Sequence, residues 1–251
     1  MELSTGLALA SLLIALRLGP ALFFAPPFTL VAVPARVRIL LALAMSACLA
    51  AGVVTYPSVD MVAMDNAVLV RAMGSELLIG ISIALVLQLC FAALYIVGRT
   101  IDIQAGYGLA LLIDPTTRAQ TPLFGTMFAL LAGIVFFAIN GHHDLLRLVA
   151  ASLEFVPLGA QGMLFEPERI FVLLGGAMTL ALGIGAALMA TLFAADVGLA
   201  LLSRALPQMN VLILGLQVKG ILAIVVGATS MLFTAPRLVE LVRMMFRFFA
   251  G

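Results

Sequence analysis

The chain has 251 residues, of which 64% are hydrophobic and only 10% are charged, with a formal net charge of +1 and a mean hydropathy of +1.25. A soluble domain carries about 25% charged residues, so this composition excludes most soluble enzyme classes. The near-neutral net charge also gives no sign of the basic surface with which proteins bind nucleic acid. Five long segments lack Asp, Glu, Lys and Arg altogether: 18–35, 39–59, 77–98, 119–141 and 170–195. Because about 20 apolar residues cross a bilayer core, the chain is predicted to be a membrane protein.

Charged residues, prolines and glycines divide the chain into about six apolar helices, several of them broken by Pro or Gly. In chain order they are predicted at about 3–24, 36–55, 71–97, 121–140, 168–195 and 211–234. Residues 237–249 are predicted to form a short amphipathic tail at the membrane interface or on a partner. Residues 1–16 lack a basic amino-terminal region, so we expect them to stay as the first helix and not to be cleaved. The predicted fold class is an all-α membrane protein, with one polytopic domain over residues 1–251.

The membrane orientation does not follow from the charges. The connectors at about 60–66, 100–120 and 142–168 are polar or rich in Pro and Gly, and none is long enough for a soluble domain. Assigning Arg and Lys to alternate sides of six spans gives six on each side, so the positive-inside rule is silent. Either one span is miscounted, or the chain does not cross the bilayer as a simple serpentine. Arg17, which lies inside the first apolar helix, supports the second interpretation.

Small residues recur at helical spacing in the last two predicted helices, at Ala177, Ala181 and Gly185 and again at Ala223 and Gly227. Small residues let helix backbones approach closely in apolar surroundings. The pattern therefore predicts close helix packing, either within a hairpin of this chain or against another subunit. The two cysteines, Cys48 and Cys90, both lie in apolar runs and are expected to be apolar fillers and not a disulfide.

Catalysis is not expected from the polar residues. The cluster His142-His143-Asp144 has adjacent histidines, which point about 100° apart on a helix and rarely share a metal. No serine stands in a nucleophile elbow, and no pair of aspartates lies within the apolar helices. We therefore expect no metal, no cofactor and no enzymatic activity. A secondary transporter is the alternative, because broken helices are common in that class, although the intramembrane charges that an ion relay would need are few and the two halves show no convincing repeat.

Three segments narrow the class of membrane protein. The first is Arg99-Thr-Ile-Asp102-Ile-Gln-Ala-Gly106, followed by Asp114-Pro115. The second is Phe137-Ala-Ile-Asn140-Gly141-His142-His143, continuing through Ser152 to Pro157-Leu-Gly159. The third runs from Asp196 through Ser203-Arg204-Ala-Leu-Pro207-Gln208-Met-Asn210 to Lys219. In this order and spacing, together with Glu76-x-x-x-Gly80 and Pro34-x-Arg36, the chain resembles the FliR family of the type III export gate over essentially its whole length.

Two of these segments also have a physical interpretation of their own. Pro207 is expected to end or kink a helix, and Gln208 and Asn210 would supply donors and acceptors at the break, one turn after Arg204. Such a break must be buried in protein or line a water-filled space, unless it is an ordinary loop between two helices. Asp102 lies three residues after Arg99, which predicts a local ion pair on one helical face.

The resemblance implies a structural and channel-forming subunit of a protein export gate in the bacterial inner membrane, at the flagellar basal body and partly on the periplasmic side. The implied partners are FliP-type and FliQ-type membrane subunits, an FlhB-type subunit, lipid and exported unfolded proteins. Residues 1–160 would be FliP-like and residues 161–251 FliQ-like, in packed helical hairpins. The segment 142–168 looks more flagellar than injectisome, whereas Leu-Gln-Val-Lys at 216–219 departs from the Phe-Pro pair of many relatives and leaves the bend of the sixth helix open.

The resemblance also implies functional residues. A loop that plugs the pore would lie at about 106–123, and its candidate residues are Gly106, Gly108, Leu109, Leu111, Leu112, Ile113, Asp114 and Pro115. An apolar constriction that excludes water would seal such a pore against ions. The candidates for subunit packing or for polar helix breaks are Arg17, Glu76, Arg99, Asp102, Asn140, His142, Asp196, Arg204, Pro207, Gln208, Asn210 and Lys219.

Overall fold

The computed structural model describes residues 2–30, 33–52, 66–107, 122–160, 166, 168–208 and 210–250. Over these residues the chain is helical and contains no strand, which confirms the all-α fold class. The helices are α1 (Glu2–Phe24), α2 (Ala35–Gly52), α3 (Asn66–Ala105), α4 (Leu123–Ala138), α5 (Gly141–Phe155), α6 (Arg169–Ala205) and α7 (Val211–Ala250).

Two sequence predictions about the helices are wrong. Residues 141–155, predicted as part of a connector, form α5, which carries apolar Leu145, Val149 and Leu153 on its buried face. The predicted tail at 237–249 is not separate, because α7 continues through Pro236 to Ala250 as one helix of 40 residues. The stripe of Leu238, Leu241, Val242 and Met245 explains this continuity: each is at most 1% exposed, and its packing offsets the backbone hydrogen bond that Pro236 removes.

Five of the described helices, α1, α2, α3, α6 and α7, are long and apolar enough to cross a membrane. Helices α4 and α5 meet the same test together as a pair bent by 70°, which gives up to six spans. This number agrees with the sequence prediction. At the bend, Asn140 adopts the left-handed conformation (φ 60°), which Asn tolerates better than most residues.

The described contacts divide the chain into two compact units. The first comprises Met1–Leu89, Phe136–Leu173 and Arg243–Gly251. Its core contains Leu13, Ile14 and Leu18 of α1, all at most 1% exposed. The same unit holds an aromatic cluster, in which the Phe136 ring meets Phe28 edge-on at 5.9 Å and stacks on Phe246 at 6.2 Å.

The second unit comprises Cys90–Val135 and Leu174–Val242. The predicted stripe of small residues on α6 is buried, with Ala177 and Ala181 at 0% exposure. A methyl group on Gly185 would lie 2.6 Å from Val97 of α3, and one on Gly227 of α7 would lie 2.6 Å from the Phe124 ring. These small residues therefore allow close packing within this chain, but their nearest neighbours lie on α3 and α4 and not within the predicted hairpin of the last two helices. Both cysteines are free thiols, Cys90 buried and Cys48 exposed.

Burial differs greatly among the apolar helices. Of the apolar stretch of α3, 56% is buried, against only 17% for each of α2 and α7. The exposed apolar side chains include Leu40 of α2 (67%) and Leu232 and Phe233 of α7 (78% and 79%). In water such surfaces would aggregate, so they are surfaces for lipid or for apolar partner helices.

Candidate functional site

The first unit has a bidentate ion pair at its centre. Arg17 of α1 and Glu76 of α3 are both 0% exposed, although each lies within an apolar helix. Arg17 Nε donates to Glu76 Oε2 at 2.6 Å, and Nη2 donates to Oε1 at 3.0 Å. Parallel hydrogen bonds of this kind are stronger and more specific in direction than a single contact between charges. The pair therefore fixes α1 against α3 in one register.

Additional partners come from the end of α5. Arg17 Nη1 donates to the Ser152 hydroxyl at 2.9 Å, and Nη2 donates to the carbonyl of Val156 at 2.9 Å. The backbone N–H of Gly159 donates to Glu76 Oε1 at 3.0 Å. Buried charges are tolerated only when they are paired and their remaining hydrogen-bonding groups are satisfied. The Arg17–Glu76 network meets this condition and joins three segments that are far apart in sequence.

The spacing of Glu76 and Gly80 has a structural reason. Gly80 lies one turn after Glu76 on α3 and faces the backbone of α1. A methyl group on Gly80 would lie 2.9 Å from the carbonyl oxygen of Leu16 and would contact that of Arg17. Pro20 has no N–H to donate to the Leu16 carbonyl four residues earlier. Glu76 thus binds the side chain of Arg17, while Gly80 lets α3 pack directly on the backbone beside it.

In the second unit, the side chain of Asp102, a residue of α3, lies at the start of α4. Asp102 is 6% exposed, and the backbone N–H of Phe124 donates to both of its carboxylate oxygens at 3.3 Å. The first N–H groups of a helix have no partner within it, so the carboxylate caps α4 from another helix. The predicted ion pair with Arg99 is wrong: both residues are described, Arg99 is exposed, and no ion pair joins it to Asp102.

Gly106 ends α3 with a φ of +87°, the conformation in which glycine commonly terminates a helix. The next residue, Tyr107, donates its hydroxyl to the carbonyl of Gly220 on α7 at 3.1 Å. Burial raises the pKa of the Tyr107 phenol above its ordinary value, and the charge of Asp102 raises it further. The hydroxyl therefore keeps its proton and acts as a donor at neutral pH. The other plug candidates, Gly108, Leu109, Leu111, Leu112, Ile113, Asp114 and Pro115, lie outside the described residues.

Asp196 and Lys219 join α6 to α7 by an ion pair between Oδ1 and Nζ. Their side chains are 43% and 19% exposed, so water weakens this pair far more than the Arg17–Glu76 pair. The sequence singled out both residues but did not predict that they pair.

The helix break expected at Pro207 lies between α6 and α7, but α6 continues past the end predicted for it at about residue 195. Helix α6 ends at Ala205 and α7 begins at Val211. Asn210 Oδ1 accepts the backbone N–H of Ile213 at 3.5 Å and so caps the start of α7. Arg204, Pro207, Gln208 and Asn210 are all exposed on this chain. Their surface is therefore free for water or for another subunit.

Asn140 and His142 are brought together at the α4–α5 bend, where the Asn140 carbonyl accepts the backbone N–H of His143 at 2.9 Å. The His142 ring lies 5.6 Å from Phe137 and 4.3 Å from His143. Within the described part of the chain, no group of three or more His, Cys, Asp or Glu side chains is placed to hold a metal ion. Asn140 lies at the bend in the left-handed conformation, and His142 lies in the first turn of α5.

A set of apolar spans, together with a satisfied charge network buried between α1, α3 and the end of α5, defines a polytopic membrane protein. A family model described as "Bacterial export proteins, family 1" matches residues 8–248. The chain therefore belongs to this family of bacterial export proteins, and the resemblance to the FliR family is confirmed.

The similarity of this chain to individual proteins agrees with the family match. The chain is 26% identical to the flagellar biosynthetic protein FliR of Escherichia coli (strain K12) over 222 residues, covering 88% of this chain and 84% of the relative. It is 31% identical to FliR of Bacillus subtilis (strain 168) over 148 residues, which is 57% of either chain. The surface presentation of antigens protein SpaR of Shigella sonnei is 29% identical over 208 residues, 83% of this chain and 79% of SpaR. With its apolar helices, the chain is a protein of the bacterial inner membrane.

Proposed function

We propose that this chain is a structural, non-enzymatic subunit of a type III export gate of the flagellar kind, and that it helps to form and plug the pore for unfolded export substrates. The proposal rests on the family match over residues 8–248 and on the uncovered apolar faces of α2 and α7. Its partners would be FliP-type and FliQ-type subunits, with an FlhB-type subunit beside them. The gate would lie at the flagellar basal body, partly on the periplasmic side of the inner membrane.

The observation that carries the proposal is the contrast between the interior and the surface of the helices. The Arg17–Glu76 network satisfies its charges within the chain, so it needs no substrate or ion to complete it. The apolar faces of α2 and α7, by contrast, are left open although their helices are well formed. A transporter would be expected to place substrate- or ion-binding polar groups near the middle of the membrane, at broken helices. An assembly subunit would leave apolar faces uncovered for its partner helices.

Within the gate, the division into a FliP-like part at 1–160 and a FliQ-like part at 161–251 remains a proposal. The same holds for the plug at 106–123. The support for a plug is local: Gly106 and Tyr107, at the start of this segment, are held against α7 by the Leu216 side chain and the Gly220 carbonyl.

Deleting residues 106–113 in the assembled gate tests the plug. The deletion should raise the ion conductance of cells or proteoliposomes that contain the gate, because the apolar seal would be lost. Tyr107→Phe is the matched control, since it removes only the hydrogen bond to Gly220 and keeps the segment. Unchanged conductance after the deletion, in a gate that still assembles, would contradict the plug.

A further inference from the structure

Phe124, the second residue of α4, joins α4 to two other helices of the second unit. Its side chain is buried, and its backbone N–H donates to both carboxylate oxygens of Asp102 on α3. Its ring lies on Gly227 of α7, where an added methyl group would be 2.6 Å from Cε1 and 3.0 Å from Cζ of the ring. Because Gly227 has no side chain, the ring lies directly on the α7 backbone. Phe124 therefore fixes the start of α4 on α3 through its backbone and on α7 through its ring.

The backbones of α3 and α4 touch beside this residue. A methyl group on Gly98 of α3 would overlap the backbone N and Cα of Gly125, and one on Gly125 would lie 3.0 Å from the carbonyl oxygen of Tyr95. Asp102 lies one turn after Gly98, so the glycine contact and the carboxylate cap act on the same turn of α4. Closely packed helices shift between discrete arrangements and do not slide continuously. The first turn of α4 therefore has one well-defined position on α3.

The residue that follows α3 meets the same helix, α7, two turns away. Tyr107 donates its hydroxyl to the carbonyl of Gly220. Gly220 and Gly227 are seven residues apart on α7, which is about two turns and about 10 Å along the helix axis. They therefore lie on one face of α7, and Ala223 between them is fully buried. This face receives Tyr107 at one point and Phe124 at the other.

The proposed plug at 106–123 begins with Gly106 and Tyr107 and is followed directly by Phe124. We propose that Phe124 is a positioning residue of the gate: with its ring on Gly227, while Tyr107 is bound to Gly220, it holds both ends of the plug on one face of α7 and keeps the gate closed to ions. Fixing the two ends of a segment close together removes much of its conformational freedom, which favours one closed form over the alternatives. This inference rests on the proposed function, because it requires the plug to be the seal.

The test is the ion conductance of proteoliposomes that contain the full-length chain assembled with a FliP-type and a FliQ-type subunit. Phe124→Ala should raise the conductance of the closed gate about 2–30-fold, because the start of α4 would lose its contact with α7. Phe136→Ala is the matched control, since Phe136 is a buried phenylalanine at the other end of the same helix. It removes as large a side chain but keeps the contact on Gly227, and it should leave the conductance of the assembled gate unchanged.

Steric compensation tests the contact itself. Gly227→Ala should also raise the conductance, because its methyl group would press the Phe124 ring away from α7. Phe124→Leu lacks the ring atoms Cε1 and Cζ, so combining it with Gly227→Ala should restore a low conductance. A general loss of stability would instead grow in the double variant. Gly198→Ala is the glycine control, since nothing lies within 4 Å of its added methyl group, and it should leave the conductance unchanged.

The outcomes separate this inference from the proposed function. If the unsubstituted chain forms no complex, or if deleting residues 106–113 leaves the conductance unchanged, the proposed function fails. If the deletion raises the conductance but Phe124→Ala and Gly227→Ala do not, in gates of normal yield, only the positioning role is wrong. If Phe124→Ala prevents assembly, the compensating pair decides. A double variant that leaks as much as Gly227→Ala alone, or that assembles no better than it, would overturn the positioning role.

Discussion

Two ion pairs among the residues that the structure describes connect helices, and their surroundings are opposite. Arg17 and Glu76 are both 0% exposed and share Ser152, Val156 and Gly159 as further hydrogen-bonding partners. Lys219 and Asp196 are 19% and 43% exposed, with no further side-chain partner for either charge among the described residues. The first pair is completed within the chain, whereas the second lies at a surface. Polar residues in this apolar chain therefore have two roles. The buried Arg17–Glu76 pair fixes the fold, whereas the more exposed Asp196–Lys219 pair remains available to neighbouring subunits.

The largest effect is expected when one partner of the buried pair is removed. Arg17→Met should lower the free energy of unfolding by about 3–5 kcal/mol, because Glu76 would be left as a buried charge without its counterion. The measurement is reversible unfolding of the purified chain in detergent. A loss below about 1 kcal/mol would show that the network does not fix the fold.

The double substitution Arg17→Met with Glu76→Leu is the control for this prediction. Replacing a whole buried ion pair with apolar residues is often neutral or stabilising, by up to about 4 kcal/mol. Much of the stability lost in Arg17→Met should therefore return. If the double variant is as unstable as the single one, packing and not the isolated charge causes the loss.

The next effect concerns the close approach beside this pair. Gly80→Ala should destabilise the chain by about 1–3 kcal/mol, because its methyl group would press on the carbonyls of Leu16 and Arg17. Gly74→Ala is the matched control on the same helix, since nothing lies within 4 Å of its added methyl group. It should be neutral or stabilising by up to about 1 kcal/mol through helix propensity. Equal effects of the two variants on thermal unfolding would contradict the close approach.

A smaller effect is expected at the cap of α4. Asp102→Ala should cost about 0.5–2 kcal/mol, because the N–H of Phe124 would lose its acceptor in a buried place. Asp102→Asn keeps one acceptor oxygen and should recover part of this loss. Hydrogen exchange at the Phe124 amide reports the cap directly. Exchange that stays slow in Asp102→Ala would show that another group satisfies this N–H.

The smallest effect is expected at the exposed pair. Lys219→Met should change the free energy of unfolding by less than about 1 kcal/mol, and the difference should shrink further at high salt. The measurement is unfolding at about 0.1 M and 1 M salt, where the Debye length falls from about 10 Å to 3 Å. A loss as large as that of Arg17→Met would erase the contrast between the two pairs.

Much of the fold could be predicted because each membrane-spanning helix needs about 20 consecutive apolar residues to cross the bilayer, and such runs are visible in the sequence. The charge-free runs predicted six of the seven described helices, although α3 and α6 extend past their predicted ends, and the break expected at Pro207 lies between α6 and α7. Helix α5 was missed because its Pro- and Gly-containing surroundings and its charged Asp144 and Arg147 are typical of a connector. The spacing of Leu145, Val149 and Leu153 at every fourth residue was the signal that could have found it.

The candidate site was harder to predict, because its bonds join residues far apart in sequence. Arg17 and Glu76 were both singled out, but nothing local indicates that a residue of the first helix pairs with one 59 positions later. Asp102 was assigned to Arg99 because only near neighbours are visible in a sequence. Its real partner is the backbone of Phe124, which every residue but proline could supply. The sequence therefore does not reveal which backbone N–H will donate to Asp102.

The uncovered apolar faces of this chain are expected to bind other subunits, and purification together with those subunits tests this expectation. The chain is co-expressed with a FliP-type and a FliQ-type subunit, and the mass of the species purified in detergent is determined by native mass spectrometry. A single complex containing all three kinds of subunit is the predicted result. A monodisperse species containing this chain alone, above all one that binds a small solute, would contradict the claim and favour a transporter.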